Sequence, residues 1–234
     1  MIQALQREQQ GMVYTVLAAL LDYPDAALVQ ALPEARELLM AERALPREAR
    51  AGLARFFDYC AERELVTLQE NYVALFDRGR ATSLYLFEHV HGESRDRGQA
   101  MIDLLQTYAR HGLYLAANEL PDYLPVFLEY LSRLPAKEAR ALLAETVEIL
   151  QSLADALGQR ASHYGFVIGA LLALAGGAAM PADAEAEDDA HRPPSAADYR
   201  ALDAAYTDEP VRFVGAAAPA AEPVRFYDQR PARR

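Results

Sequence analysis

Tryptophan is absent from this chain of 234 residues, and cysteine and lysine occur once each, as Cys60 and Lys137. A single cysteine excludes an internal disulfide and any cysteine-rich metal centre, which fits a reducing compartment. Cys60 follows Phe56, Phe57 and Tyr59 and has no evident histidine partner, so it reads as a packing residue. Positive charge is also short. The formal net charge is −11, and the acidic excess covers both the first 179 residues and the remainder. Nucleic-acid phosphates call for clustered Lys and Arg, so that class of partner is set aside. All but one of the 23 basic side chains are arginine, a skew we read as compositional bias of the coding sequence.

Long apolar runs are missing as well. The longest, from Tyr164 to Ala175, is about a dozen residues against the roughly 20 that a membrane span needs, so it reads as a buried helix. Met1 and Ile2 lead into Gln, Arg and Glu rather than a basic stretch before an apolar one, so no secretory signal is expected and the cytoplasm is. No phosphate-binding glycine loop, G-x-S-x-G turn or H-E-x-x-H pair is present, so no familiar catalytic constellation is legible. No convincing run alternates with period two, which leaves strands without a signal.

What is present is helical spacing. Hydrophobic residues make up 52% of the chain, enough for a substantial core. Ile2 to Leu21 follows the i, i+3, i+4, i+7 pattern and ends at Pro24. A second helix is expected from Asp25 to about Ala41, a third opening at Pro46, and a fourth over Leu65 to Phe76 that stops at Asp77-Arg78-Gly79. Ser94 is a good N-cap for a helix whose Met101, Leu104, Leu105 and Tyr108 face inward. In Asn118 to Leu131, Pro121 suits a first turn while Pro125 removes a bond, so a bent or loose start is expected there. Glu138 to Leu157 and Tyr164 to Ala175 complete an all-α body.

The expected organisation is one compact multi-helix domain over residues 1–177, followed by a flexible tail over 178–234. The tail is acidic and rich in Pro and Ala, a composition that buries too little surface to order itself, although Ser195 to Tyr206 has the pattern of a short helix. Glu209-Pro-Val-Arg-Phe213 recurs letter for letter as Glu222-Pro-Val-Arg-Phe226. That repeat is either drift in low-complexity sequence or a docking motif with Val and Phe as anchors.

Residues 77–98 are the densest polar stretch, with ten Asp, Glu, Arg or His side chains around the apolar knot Leu84 to Phe87. One reading is a capping and ion-pair network in which Arg78, Arg80, Arg95 and Arg97 meet Asp77, Glu88, Glu93 and Asp96. A second is a metal site on His89 and His91, flanked by Glu88 and Glu93, and a metal-dependent helical-bundle enzyme would use His89, His91 and Glu93. On a helix, residues two apart diverge by about 200°, so the two imidazoles would converge only on extended backbone. A third is a charged rim beside an apolar groove that receives a peptide helix. Tyr72, Phe76, Tyr85, Phe87, Tyr123, Phe127 and Tyr130 are the candidate groove residues, though aromatics at helical spacing are more often core.

Three blocks carry a resemblance: Tyr72 to Gly79 (Y-V-A-L-F-D-R-G), Arg80 to Leu105 with its F-E-H-V-H-G-E-S-R-D-R-G, and Glu119 to Leu131 (E-L-P-D-Y-L-P-V-F-L-E-Y-L). Together with L-L-D-Y-P-D at Leu20 to Asp25 and Leu202-Asp-Ala-Ala with the Glu-Pro-Val-Arg-Phe tail, they resemble the NarJ family of nitrate reductase assembly chaperones. E-x-P-D is also similar to the signature of the wider TorD/DmsD type of molybdoenzyme chaperones, where a histidine usually follows; here Tyr123 stands in that place, so no role of that histidine is carried over. The resemblance implies an all-α cytoplasmic chaperone without enzymatic activity or a permanently bound cofactor. It also implies a client, the apo catalytic α subunit of respiratory nitrate reductase, bound through its N-terminal segment, with the αβ complex and cofactor-biosynthesis proteins as further expected partners. Insertion of the molybdenum bis-guanine-dinucleotide cofactor would then precede membrane attachment of the αβ complex; the alternative client is another molybdoenzyme. The expected client-binding set is the seven aromatics with Glu88, His89, His91, Glu93, Arg95, Arg97, Glu119 and Asp122, and titration of His89 and His91 would make affinity depend on pH.

Overall fold

A computed structural model describes residues 2–90, 95–116 and 119–186, with residues 2–10 and 95–96 as backbone alone. The expected cap Ser94, the short helix at Ser195 and both Glu-Pro-Val-Arg-Phe copies lie outside the described residues. Ten α-helices follow in order: α1 (Ile2–Leu20), α2 (Ala26–Ala41), α3 (Arg47–Ala61), α4 (Leu65–Phe76), α5 (Leu86–Val90), α6 (Arg95–Arg110), α7 (Leu124–Ser132), α8 (Ala136–Glu145), α9 (Val147–Gln159) and α10 (Tyr164–Leu174). Among the described residues no strand forms. A single antiparallel bridge joins Tyr85 to Tyr123.

The core is built around α10. All of its residues except Ala173 are buried, as a helix apolar on every side must be, and it packs against α3, α9, α8 and α1. Close approach to α3 depends on Gly52, where a Cβ would sit 2.8 Å from Cδ1 of Phe166. α1 lies along α7, and at Gly11 a Cβ would meet the Ser132 carbonyl oxygen. Cys60 is buried among Leu20, Leu28, Phe56, Leu68 and Tyr164, and burial pushes its thiol up to about 12. No helix among the described residues is long and apolar enough to cross a membrane.

Several boundaries differ from the sequence reading. Asp25 caps α2 from outside, its Oδ1 accepting from the Leu28 N–H at 2.7 Å. α7 begins at Leu124, so Pro125 falls in the first turn, where its missing N–H costs nothing, and Pro121 lies before the helix. The helix expected over Glu138 to Leu157 is two. Thr146 breaks it, its Oγ1 donating to the Leu143 carbonyl at 2.8 Å in competition with the helical ladder. In α6 the inward face is narrower than its spacing suggests. Tyr108 is fully buried, whereas Leu105 is 41% and Ile102 49% exposed. Finally, residues 178–186, assigned to the tail by composition, lie against the body, where Arg55 donates to the carbonyls of Ala182 and Ala184.

Candidate functional site

The polar stretch is tied down by main chain from a distant part of the fold. The Leu86 N–H donates to the Asp122 carbonyl at 2.9 Å and the Leu124 N–H to the Leu84 carbonyl at 2.8 Å. These two bonds frame Tyr85 and Tyr123, whose rings stand 5.2 Å apart. Asp122 itself is fully buried. Its Oδ2 accepts from the Phe87 N–H at 3.2 Å, so a carboxylate 35 residues away caps the first turn of α5. Arg97 reaches toward that same oxygen at 3.8 Å and toward Glu88 Oε1 at 3.7 Å. Among the described residues Asp122 Oδ1 accepts no hydrogen bond.

Burial raises the Asp122 carboxyl above the usual carboxylate range. The Phe87 N–H and the Arg97 guanidinium oppose that shift, and Glu88 adds to it. Desolvation wins because neither cation nor donor comes closer than a moderate hydrogen-bond distance.

Side chains of the loop complete the anchoring. Thr82 Oγ1 donates to the Leu75 carbonyl, and Ser83 Oγ accepts from the Tyr85 N–H at 3.2 Å. The His89 Nε2 lies 2.8 Å from the Ser83 carbonyl oxygen, which gives that nitrogen the proton. Tyr123 OH donates to Asp22 Oδ1 at 3.2 Å and stands 3.0 Å from Tyr72 OH, which donates to the Leu21 carbonyl at 3.0 Å. The end of α1 is therefore stitched to the start of α7, and burial raises both phenols.

This geometry sorts the expected residues. Tyr72, Phe76, Phe127 and Tyr130 are core, not groove. Phe76 packs 4.7 Å from Tyr72 and 5.0 Å from Tyr164, and Tyr130 packs 4.7 Å from Tyr108. Asp122 is likewise inside. Tyr85, Phe87, Glu88 and His89 are half-buried on α5 and its lead-in, Tyr123 is half-buried beneath them, and Arg97 is half-buried beside Glu88. Glu119 is exposed and its Oε2 accepts from the Ala116 N–H at 3.1 Å. His91, Glu93 and the Arg95 side chain lie outside the described residues. Of the expected ion-pair network, the Arg97 to Glu88 contact is present, while Asp77, Arg78 and Arg80 are exposed. Among the described residues no group of three His, Cys, Asp or Glu is placed to hold a metal.

Sequence reasoning missed other accessible apolar side chains on this part of the fold. Val90 ends α5 at 57% exposure, Leu120 precedes the Pro121-Asp122 turn at 45%, and Ile102 and Leu105 lie on α6. The signal was there, since Ile102 and Leu105 share a helical face, but the pattern does not say which face meets the core. Asp22 was also missed, because its partner Tyr123 is distant in sequence.

Comparison with known proteins places these observations. The family model for the nitrate reductase delta subunit matches residues 42–167. The nitrate reductase molybdenum cofactor assembly chaperone NarJ of Escherichia coli K12 is 46% identical over 198 residues, spanning 85% of this chain and 83% of that protein. NarW of the same strain, named as a probable nitrate reductase molybdenum cofactor assembly chaperone, is 38% identical over 93% of this chain and 91% of its own length. A crystal structure from Archaeoglobus fulgidus, described as that of a redox enzyme maturation protein, superposes with a TM-score of 0.51 at 20% identity, covering 70% of this chain and 90% of that one, a likeness of fold. The chain thus belongs to the nitrate reductase delta subunit family, together with relatives named as molybdenum cofactor assembly chaperones.

Proposed function

We propose that this protein is a cytoplasmic chaperone of nitrate reductase assembly. It binds the apo catalytic subunit through that subunit's N-terminal segment while the molybdenum bis-guanine-dinucleotide cofactor is inserted, and delays membrane attachment until insertion is complete. The cofactor is cargo for the client, and the chaperone keeps none. The observation that carries this reading is 46% identity to a chaperone of that name across most of both chains.

What supports a docking role for the α5 region is the contrast between its rigid base and its open face. Two main-chain bonds and the Asp122 carboxylate hold the first turn of α5 and the Leu84 lead-in to it, while Phe87 is half-buried and Val90 exposed. A preformed apolar edge bordered by Glu88 suits an amphipathic peptide with basic residues, because little ordering entropy is lost on binding. Of the buried members of the expected set, Asp122 holds that edge through the Phe87 N–H, while Tyr72, Phe76, Phe127 and Tyr130 belong to the core.

Calorimetric titration with a synthetic peptide of the client's N-terminal segment tests this assignment. Phe87→Ala and Val90→Ser should each weaken binding about tenfold, the loss of one apolar anchor. Unchanged affinity in both would move the site away from α5.

A further inference from the structure

Residues 178–186 leave α10 through Gly176, whose φ of +93° is in the left-handed region, and return over a face made by α3, α9 and α10. The floor lacks side chains where Met180 crosses it. A Cβ on Gly169 would stand 2.7 Å from the Met180 backbone nitrogen, one on Gly165 2.7 Å from its Sδ, and one on Gly158 3.5 Å from its Cε. The wall is Arg55. Its Nη1 donates to the carbonyls of Ala182 and Ala184 at 2.6 Å each, and its guanidinium covers the Phe166 ring at 4.8 Å. Met180, Ala182, Ala184 and Ala186 are half-buried, while Pro181, Asp183 and Glu185 face solvent.

Two features separate this from ordinary packing. Gly165 and Gly169 sit inside a helix, where glycine costs stability, and the atoms nearest to where a Cβ would stand belong to Met180. The helix is therefore shaped for an occupant. The recognition is also generic: Arg55 reads main-chain oxygens presented around the Pro181 to Ala184 turn, and the floor accepts one flexible thioether. Neither contact demands this particular sequence, and no helix or strand ladder holds the segment in place.

We propose that this face is a second peptide-binding surface, filled in cis by residues 178–186, and that a client segment of like chemistry displaces them. That segment would carry a Met or Leu followed by a turn of small residues. The proposal rests on the reading that the chain holds a client polypeptide, and the Gly176-Gly177 pair is the hinge about which the cis segment leaves.

The full chain carrying Met180→Ser weakens the cis segment and leaves the surface intact. Three results are expected. Amides of 178–186 exchange faster in Met180→Ser than in wild type. A synthetic peptide of residues 178–186 binds Met180→Ser but not the Met180→Ser, Arg55→Gln double variant. The apo catalytic subunit of nitrate reductase binds Met180→Ser three- to tenfold tighter than wild type, with Met180→Leu matching wild type. Failure of the synthetic peptide to bind Met180→Ser overturns the surface, and equal affinity of the apo subunit for wild type and Met180→Ser overturns displacement by the client. If the apo subunit binds neither form, the chaperone reading and the displacement fall together, while the peptide arm still decides whether the surface exists.

Discussion

Replacing Asp122 with asparagine would separate two things its carboxylate does. As an acceptor it caps α5 through the Phe87 N–H, and as a charge it sits fully out of water. The amide oxygen keeps the first and removes the second. Because burial raises the folded carboxyl above its unfolded value, the native state binds the proton more readily than the unfolded chain. Stability tied to this group is thus greatest below the unfolded value near 3.8 and is lost as pH rises through the raised folded one. Asp122→Asn should accordingly melt higher than wild type at neutral pH, with the gap closing as pH falls toward 4. Asp122→Ala strands the Phe87 N–H and should cost about 1–3 kcal/mol in urea unfolding.

Among the elements, the α3 and α10 pair sets how tightly the core closes. Gly52→Ala improves the local propensity of α3, yet its methyl meets the Phe166 ring at 2.8 Å. Overpacking should win, lowering stability by about 1–3 kcal/mol in denaturant titration. The pair also illustrates what the sequence discloses about elements. α10 was legible because eleven consecutive residues without a charge can only be interior, and α1 to α4 because their stripes repeat at helical spacing. The break at Thr146 was not, since a threonine that bonds back to the Leu143 carbonyl looks like any helical threonine until the backbone is seen. Nor was the packing of 178–186. Alanines alternating with Pro, Asp and Glu carry too little hydrophobic contrast, and the groove that receives them comes from glycines on other helices. At the proposed docking face, Phe87, Glu88 and His89 were read as site residues and do lie half-open, whereas the buried state of Asp122 depends on a contact across 35 residues that no local pattern encodes.

For the whole molecule the net charge of −11 matters most in the approach of a partner. If the client segment is basic, steering by the anionic body speeds association, and raising ionic strength screens it. Stopped-flow association of the client peptide should slow several-fold between about 0.01 M and about 0.15 M salt, as the screening length shortens from about 30 Å to about 8 Å. Dissociation should change little, because in the proposed complex the bound state is held by apolar contact at Phe87 and Val90, which salt does not screen.

The buried Cys60 gives this molecule a practical property. Burial pushes its thiol up to about 12, so the reactive thiolate is scarce at neutral pH. The natural chain should react slowly with thiol-directed reagents, so one cysteine introduced at the exposed Arg80, just before α5, and another at Glu185 would carry paired fluorophores or spin labels against a low background while leaving the docking edge intact. The separation of the α5 edge from the cis segment then becomes a length that can be followed in real time as a client arrives.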